Sequence, residues 1–166
     1  MTNFDARLRE LLDKQDIYEV LTRYCRGVDR GDAELIRSVY HDDAIDDHGI
    51  WKGLGVEFAD WIVGVLKDTK QCMHLIGNVR IDLQGDVANS ETYCISINDD
   101  GVKHQTVDVR YIDRFERRQN VWKIAARLVV FDVSRIEPRT ESYGKGVGDL
   151  LTWGKKSRAD ASYRTV

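Results

Sequence analysis

The chain has 166 residues, 42% of them hydrophobic and 32% charged, which is the composition of one globular domain with a sizeable core. Its 25 basic and 28 acidic residues are mixed along the chain and give a formal net charge of −3, without the basic stripe that a nucleic-acid surface needs. The N-terminus has no signal-peptide pattern, and no run approaches the roughly 18 apolar residues of a membrane span. We therefore expect a cytoplasmic protein with no nucleic-acid partner and no membrane partner.

A long first helix is predicted from about residue 4 to residue 30. Its apolar stripe has the spacing of a buried helix face and consists of Ile17, Val20, Leu21, Tyr24 and Val28. The phenol of Tyr24 is therefore expected to point inward. Asp29 follows directly after this stripe, where Gly27 and Gly31 weaken the helix, so its carboxylate can turn toward the interior or toward solvent. The spacing leaves both alternatives open.

Two shorter helices and an acidic corner follow. Asp32 is a suitable N-cap for a second helix that ends near Val39, and a third helix is predicted over residues 56–67. Between them, residues 41–48 contain two histidines and four aspartates and are predicted to form a short strand and turn. Adjacent acidic residues in a turn are usually solvated, and the corner has no established ligand spacing, so no metal site is predicted.

Beyond Lys70 the hydrophobic period changes from 3.6 to 2, which predicts strands over residues 71–83, 86–97, 102–117 and 120–135. Turn-forming residues separate these strands, as in hairpins. Helices followed by an antiparallel meander indicate an α+β domain, residues 1–136, in which the sheet curls around the long helix and encloses a pocket. Residues 137–166 contain the single proline and a basic, polar end, and we expect a tail that packs on a neighbouring subunit.

The thiols Cys25, Cys72 and Cys94 form no CxxC pair and each lies within a predicted helix or strand. This pattern is typical of small buried thiols in a reducing compartment rather than of disulfides or a zinc site.

His74 is a candidate acid–base residue on the first long strand. By alternation it shares one face with Cys72, Ile76 and Asn78, while Met73, Leu75 and Val79 occupy the other face. A histidine on an apolar face is often simply a hydrogen-bonded core residue. If the fold places Asp29 against one ring nitrogen, however, the pair fixes the tautomer and leaves the other nitrogen free to accept a proton.

Arg127 is a second candidate, on the last strand. It alternates with Ala125, Val129 and Phe131, while Ile124, Ala126, Leu128 and Val130 form the other face, and neither face looks solvent-exposed. Its guanidinium fork suits a substrate carboxylate or a departing anion. A salt bridge to Asp29 or to an acid of residues 42–47 is the equally weighted alternative.

Several segments together resemble the SnoaL-like branch of the NTF2-like fold, which includes scytalone dehydratase, bile acid 7α-dehydratase and hexachlorocyclohexane dehydrochlorinase. The resemblance covers residues 10–135, and its carriers are residues 24–29, 40–44, 51–53, 73–78 and 113–124. It implies a cone in which N-terminal helices pack in the concave face of a curved mixed or antiparallel sheet. It also implies a site in which Tyr24, Asp29 and His74 match the bile acid dehydratase and Arg127 matches the arginine of the dehydrochlorinase.

The function that this resemblance implies is a cofactor-independent lyase without a metal. His74, oriented by Asp29, would remove a carbon-bound proton while Tyr24 assists the loss of water from a hydroxylated cyclic or steroid-like substrate. Isomerisation, cyclisation, loss of halide and a non-catalytic binding or assembly role remain alternatives. A homo-oligomer, trimer or dimer, is expected, and the candidate pocket residues are Trp51, Phe58, Trp61, Met73 and Phe131.

Overall fold

The computed structural model describes residues 2–140 and 147–164. Its helices are α1 (Asn3–Arg30), α2 (Ala33–Arg37) and α3 (Gly55–Val65), and its strands are β1 (Tyr40–Asp47), β2 (Lys52–Leu54), β3 (Gln71–Gln84), β4 (Val87–Asp99), β5 (Lys103–Arg118) and β6 (Val121–Pro138). The C-terminal part adds two single 3₁₀ turns, Gly148–Leu150 and Ala161–Tyr163. In the described residues, no helix is both long and apolar enough to span a membrane.

The first helix has a well-defined start and end. A capping box between Thr2 and Asp5 satisfies backbone amides at its N-terminus, and Gly31 ends it in the left-handed conformation, with φ of 61°. The predicted stripe is buried, and Tyr24 is only 2% exposed. Asp32 then caps α2 by accepting a hydrogen bond from the amide of Leu35. Both sequence-based assignments are confirmed.

The six strands form one curved sheet in the order β2-β1-β6-β5-β4-β3, and the helices pack against its concave face. Every neighbouring pair is antiparallel except β1 and β6, which run parallel, so the sheet is mixed. The long helix α1 contacts both β3 and β6 and therefore fills the cone between them. The predicted α+β cone is confirmed.

Two β-bulges change which residues face the core. In β6, Ala125 is an extra residue between the pairs Phe115–Ile124 and Arg114–Ala126, so Ile124 and Arg127 are both buried. The prediction that these two residues occupy opposite faces is wrong, because the bulge shifts the alternation by one residue. This shift also explains why neither face of β6 looked solvent-exposed in the sequence.

The second bulge lies in β3, where two residues, Asn78 and Val79, face Thr92 alone. Asn78 adopts a positive φ of 47°, which an asparagine tolerates better than most residues. The bulge brings Val79 to the core side, where it packs with Ile76. The prediction that Val79 lies on the face opposite Ile76 is wrong for the same reason as in β6.

The described part of the tail packs on its own chain. Arg158 and Tyr163 both bind the carboxylate of Asp32, at 3.0 and 2.9 Å, and the side chain of Gln71 donates to the carbonyl of Gly154 at 2.7 Å. The predicted boundary at residue 136 falls inside β6, which continues to Pro138 opposite Lys103. Packing of the tail on a neighbouring subunit stays a prediction, and its residues 141–146, 165 and 166 lie outside the described part.

Substitution of Gly55 tests how tightly α3 packs on β1. A Cβ at Gly55 would lie 2.4 Å from the ring of Tyr40, which is fully buried. We predict that Gly55→Ala lowers the free energy of unfolding by about 1–3 kcal/mol, because the ring has no free space into which to move.

The matched control is Gly64→Ala in the same helix, where a Cβ meets nothing within 4 Å. This change should raise stability by up to about 1 kcal/mol through helix propensity. Urea unfolding of both variants measures the difference, and equal effects of the two substitutions would contradict the packing argument.

Candidate active site

Asp29 and His74 form a hydrogen-bonded pair that joins the end of α1 to β3. Nδ1 of His74 lies 2.7 Å from Oδ1 of Asp29, and the backbone amide of His74 donates to Oδ2 at 3.2 Å. Both carboxylate oxygens are thus occupied by one residue, which fixes the ring plane and places the Nδ1 proton toward Asp29. In the described residues Nε2 of His74 has no hydrogen-bond partner, and it is the nitrogen available for proton transfer.

The pair raises the proton affinity of the imidazole. Burial by itself lowers the pKa of His74, but hydrogen bonds to Asp29 and Cys72 and the attraction of these groups outweigh it and raise the pKa from 6.5 to about 10. Nδ1 lies 3.7 Å from the sulfur of Cys72, on the same side of the ring as Asp29. At neutral pH the resting state is therefore an imidazolium–carboxylate ion pair, and the neutral base is a minor form.

A cavity of about 160 Å³ lies between α1, α3 and the strands β4 to β6. Its polar wall consists of Tyr24, His48, His74, Ser96, Asn98 and Tyr111, and its apolar wall consists of Val28, Phe58, Ile62, Leu66, Val107, Val109 and Val129. Asn98 donates to Ser96 at 3.2 Å, whereas its buried Oδ1 has no partner in the described part of the chain. The cavity thus offers acid–base groups and a free amide oxygen on one wall.

Arg127 lies behind this wall, in a buried salt bridge. Its Nε and Nη2 bind the two oxygens of Asp113 at 2.7 and 2.8 Å, and its guanidinium lies 4.2 Å from the ring centroids of both Tyr24 and Tyr111. Arg127 thus forms a salt bridge, but the predicted partners, Asp29 or an acid of residues 42–47, are wrong, because the partner is Asp113 on the neighbouring strand. Nη1 is buried without a partner in the described residues. Two of the three guanidinium nitrogens are therefore unable to receive a substrate anion.

The sequence did not reveal His48 as a cavity residue. Its Nδ1 is hydrogen-bonded to Asp46, its Nε2 lies 3.3 Å from the hydroxyl of Tyr24, and its ring stacks on Phe58 with centroids 4.2 Å apart. Asp46 is fully buried and accepts a second hydrogen bond from the hydroxyl of Tyr40. The expectation that this corner is solvated is wrong for Asp46. The sequence did contain a signal for this position, because residues 46 and 48 lie two apart in an extended segment and therefore point to the same face.

Two other carboxylates of the acidic corner, those of Asp43 and Asp47, have basic partners. Asp43 binds Arg118 at 2.6 Å and Asp47 binds Lys52 at 2.9 Å. These two carboxylates are thus held by separate ion pairs rather than directed toward a common centre.

Asp29, Cys72 and His74 place three possible metal ligands within 4.8 Å of one another. A carboxylate, a thiolate and an imidazole are a ligand set that zinc accepts. Both protein contacts of the imidazole use Nδ1, however, so a metal here would replace the proton that orients the ring.

The predicted pocket residues are only partly brought together. Phe58 lines the cavity, and Trp51 and Trp61 pack around Phe58 at centroid distances of 5.3 and 5.7 Å, which places them in a supporting aromatic cluster. Met73 and Phe131 do not line the cavity, so these two assignments are wrong. Met73 pairs with Ile97 on the outer face of the sheet, and Phe131 lies where β6 extends beyond the helices and is 62% exposed.

The tail brings a lysine toward the Asp29–His74 pair. The ammonium of Lys156 donates to the carbonyl of Leu66, and partial burial lowers the pKa of Lys156 although the charges of Cys72 and Asp29 oppose this shift. The tail therefore places a half-buried cation at the Asp29 side of the site, which the sequence did not predict.

Comparison with known proteins shows what this chain is similar to. The family model described as SnoaL-like domain matches residues 9–128. The uncharacterized protein Rv2910c of Mycobacterium tuberculosis (strain ATCC 25618 / H37Rv) is 25% identical over 125 residues, which cover 72% of this chain and 85% of the relative. The uncharacterized protein Mb2934c of Mycobacterium bovis (strain ATCC BAA-935 / AF2122/97) matches with the same identity and coverage.

Solved structures show the same fold. Hexachlorocyclohexane dehydrochlorinase (LinA) Type2 superposes with a TM-score of 0.75 at 22% identity, covering 84% of this chain and 99% of that chain. A scytalone dehydratase-like protein from Novosphingobium aromaticivorans DSM 12444 gives a TM-score of 0.71 at 15% identity, covering 82% and 95%. At these identities the likeness concerns the fold.

The Asp29–His74 pair predicts a pH dependence of stability. Since the folded-state pKa of His74 is about 10 and its ordinary value is 6.5, the pair contributes fully below pH 6.5, and its contribution is lost as the pH rises toward 10. Urea unfolding at a series of pH values should therefore show wild type losing more stability over this range than His74→Gln, which cannot titrate. Parallel pH curves for the two proteins would contradict the ion pair.

The buried pair of Arg127 and Asp113 predicts a second stability difference. Asp113→Asn should cost about 3–5 kcal/mol, because it leaves the buried guanidinium without its counterion. Asp132→Asn is the matched control, since Asp132 also binds an arginine, Arg110, through both oxygens (3.0 and 3.1 Å), but at the surface. This control should cost less than about 1 kcal/mol. Equal losses of unfolding free energy in the two variants would show that the buried pair stabilises the fold no more than the surface pair does.

Proposed function

Because the chain belongs to the SnoaL-like domain family, we propose that it is a small-molecule-processing enzyme, a lyase that removes a carbon-bound proton and water from a hydroxylated cyclic substrate. The observation that carries this proposal is the Asp29–His74 hydrogen bond of 2.7 Å beside a cavity that His74 lines. In the elimination, Nε2 of His74 takes the proton, the C–H electron pair forms the double bond, and the carbon–oxygen bond breaks toward the departing hydroxyl.

The size of the cavity narrows the substrate class. A volume of about 160 Å³ is well below the roughly 300–1,000 Å³ of pockets for drug-sized ligands, so a compound with one small ring fits better than a steroid-like one. The apolar wall suits the ring carbons. The free amide oxygen of Asn98 can accept a hydrogen bond from a substrate hydroxyl, and the hydroxyl of Tyr24 can donate one to a substrate hydroxyl or carbonyl. Without a substrate, the Asn98 oxygen has no partner in the described residues, and the Tyr24 hydroxyl lies beside Nε2 of His48.

Water is the favoured leaving group over halide. A departing halide needs a stabilising cation or a ring of donors, and Arg127 already gives two of its nitrogens to Asp113. A departing hydroxyl needs a proton instead, and Tyr24 carries one. Burial raises the pKa of Tyr24 well above its usual value despite the opposing charge of Arg127, so the phenol stays protonated until it is used.

A non-catalytic binding or assembly role has less support. An Asp29 and a His74 beyond hydrogen-bond reach, together with a pocket filled by side chains, would have favoured it. The pair instead lies at 2.7 Å beside an open cavity.

Elimination of water from a β-hydroxycyclohexanone tests the proposal. The wild type should form the conjugated cyclohexenone, which absorbs in the ultraviolet and has lost the mass of one water. His74→Ala should lower kcat/KM by about 10²–10⁴-fold, the usual contribution of a positioned general base. His104→Ala is the control, since His104 pairs with Asp99 at 3.1 Å and does not line the cavity. Full activity of His74→Ala, with its thermal unfolding unchanged, would contradict the proposal.

The resting ion pair also predicts the pH dependence of the reaction. With a pKa of about 10, His74 is mostly protonated at neutral pH, so removal of the carbon-bound proton should become faster as the pH rises toward 10, by up to tenfold per pH unit. Exchange of an α-proton of cyclohexanone, which needs no proton donor, measures this step, and a rate that falls between pH 7 and 9 would show that neutral His74 is not the base.

A further inference from the structure

The hydrogen bonds of Asp46, His48 and Tyr24 form a continuous chain that ends in the cavity. Oδ1 of Asp46 is hydrogen-bonded to Nδ1 of His48, and Nε2 of His48 lies 3.3 Å from the Tyr24 hydroxyl. The cavity is lined by His48, Tyr24 and His74 together. His74 is therefore one of two histidines that line this cavity, and the second, His48, is hydrogen-bonded to an aspartate of its own, Asp46.

The surroundings of Asp46 make His48 its closest basic partner. Asp46 is 0% exposed, and its second oxygen accepts the hydroxyl proton of Tyr40. A buried carboxylate is stable only with a compensating charge or proton, and the neighbouring Arg127 is already neutralised by Asp113. His48 is the basic group in direct contact with Asp46, so the Asp46–His48 hydrogen bond is the contact that can compensate this carboxylate.

The position of His48 is fixed from both sides. Its backbone amide donates to the carbonyl of Trp51 at 2.8 Å across a turn in which Gly49 has a φ of 73°. The ring stacks on Phe58 at an interplanar angle of 16°. A ring held in this way keeps Nε2 directed at Tyr24, as a repeated proton transfer requires.

Tyr24 is suited to pass a proton on. Its ring lies against the guanidinium of Arg127, and Arg127 opposes the effect of burial on the pKa of Tyr24 by favouring the phenolate. A phenolate formed briefly at Tyr24 would thus lie between one cation, Arg127, and a proton donor, His48.

Resting on the proposed lyase function, we propose that Asp46, His48 and Tyr24 form a proton relay that protonates the departing oxygen while His74 removes the carbon-bound proton. The hydroxyl of Tyr24 gives its proton to the oxygen as the bond from carbon breaks, and the oxygen leaves as water. Nε2 of His48 then returns a proton to the phenolate of Tyr24. One proton has moved to His74 and one has left His48, so proton transfer through solvent from the first to the second restores the enzyme.

Benzisoxazoles substituted on the benzo ring provide the probe, because a base removes their ring C–H proton while the nitrogen–oxygen bond breaks and a phenolate oxygen leaves. The substituent changes the basicity of that oxygen without changing the proton that is removed. A relay that protonates the oxygen makes the rate nearly independent of the substituent, and loss of the relay makes it steeply dependent.

We expect His48→Gln to lower kcat/KM by about 10²-fold for the most basic leaving oxygen and by less than about threefold for the nitro-substituted one. Tyr24→Phe should give the same pattern, and the double variant should be no worse than either single variant, because the two residues act in one chain. His104→Gln, which alters an Asp–His pair outside the cavity, should leave the substituent dependence of the wild type unchanged.

The outcomes separate the relay from the base. An equal loss for every substituent in His48→Gln would overturn the relay and leave a purely structural role for His48, while the base role of His74 would stand. Rates unaffected by His74→Ala, or no elimination by the wild type, would overturn the base and the relay together. Thermal unfolding of each variant identifies a loss that comes from misfolding, and His48→Asn, which retains a donor toward Asp46, provides a second variant if His48→Gln does not fold.

Discussion

The structure depends on the rule that a charge inside an apolar cone must have a partner. Three aspartates each have a basic partner: Asp29 binds His74, Asp46 binds His48, and Asp113 binds Arg127. The Asp29–His74 and Asp113–Arg127 pairs join different elements, whereas Asp46 and His48 lie two residues apart at the end of β1. Breaking a buried pair is costly, because removal of one partner leaves the other as a buried charge without a counterion. The same pairs that close the cone therefore set the protonation states available for chemistry.

The Arg127–Asp113 pair positions neighbouring side chains, whereas the two Asp–His pairs are the ones suited to proton transfer. Arg127 and Asp113 are fully buried, satisfy each other and support the rings of Tyr24 and Tyr111. The two Asp–His pairs instead each direct an imidazole toward the cavity. In the proposed reaction, one of these histidines accepts a proton and the other supplies one. Elimination of water needs both functions at once.

Much of this could be predicted from the sequence, because the signals were local. The stripe of α1 directed Tyr24 inward, and the change of period at Lys70 located all four long strands to within a few residues. The Asp29–His74 contact depended on the family resemblance, since spacing left Asp29 undecided. The partner of Arg127 was not found, because a bulge at Ala125 shifts the alternation and because Asp113 lies across the strand pair, a relation that single-strand reading does not reveal. His48 was missed because a cluster of acidic residues resembles a solvated turn until the burial of Asp46 is known.

Removal of a carbon-bound proton by His74, held by Asp29, can be measured apart from any elimination. Proton NMR in D₂O follows hydrogen–deuterium exchange at the α-carbon of cyclohexanone, which requires no leaving group and no second catalytic group. We expect exchange above the buffer rate for the wild type, a large loss in His74→Ala, and an unchanged rate in His104→Ala. Undiminished exchange in His74→Ala would show that His74 is not the base.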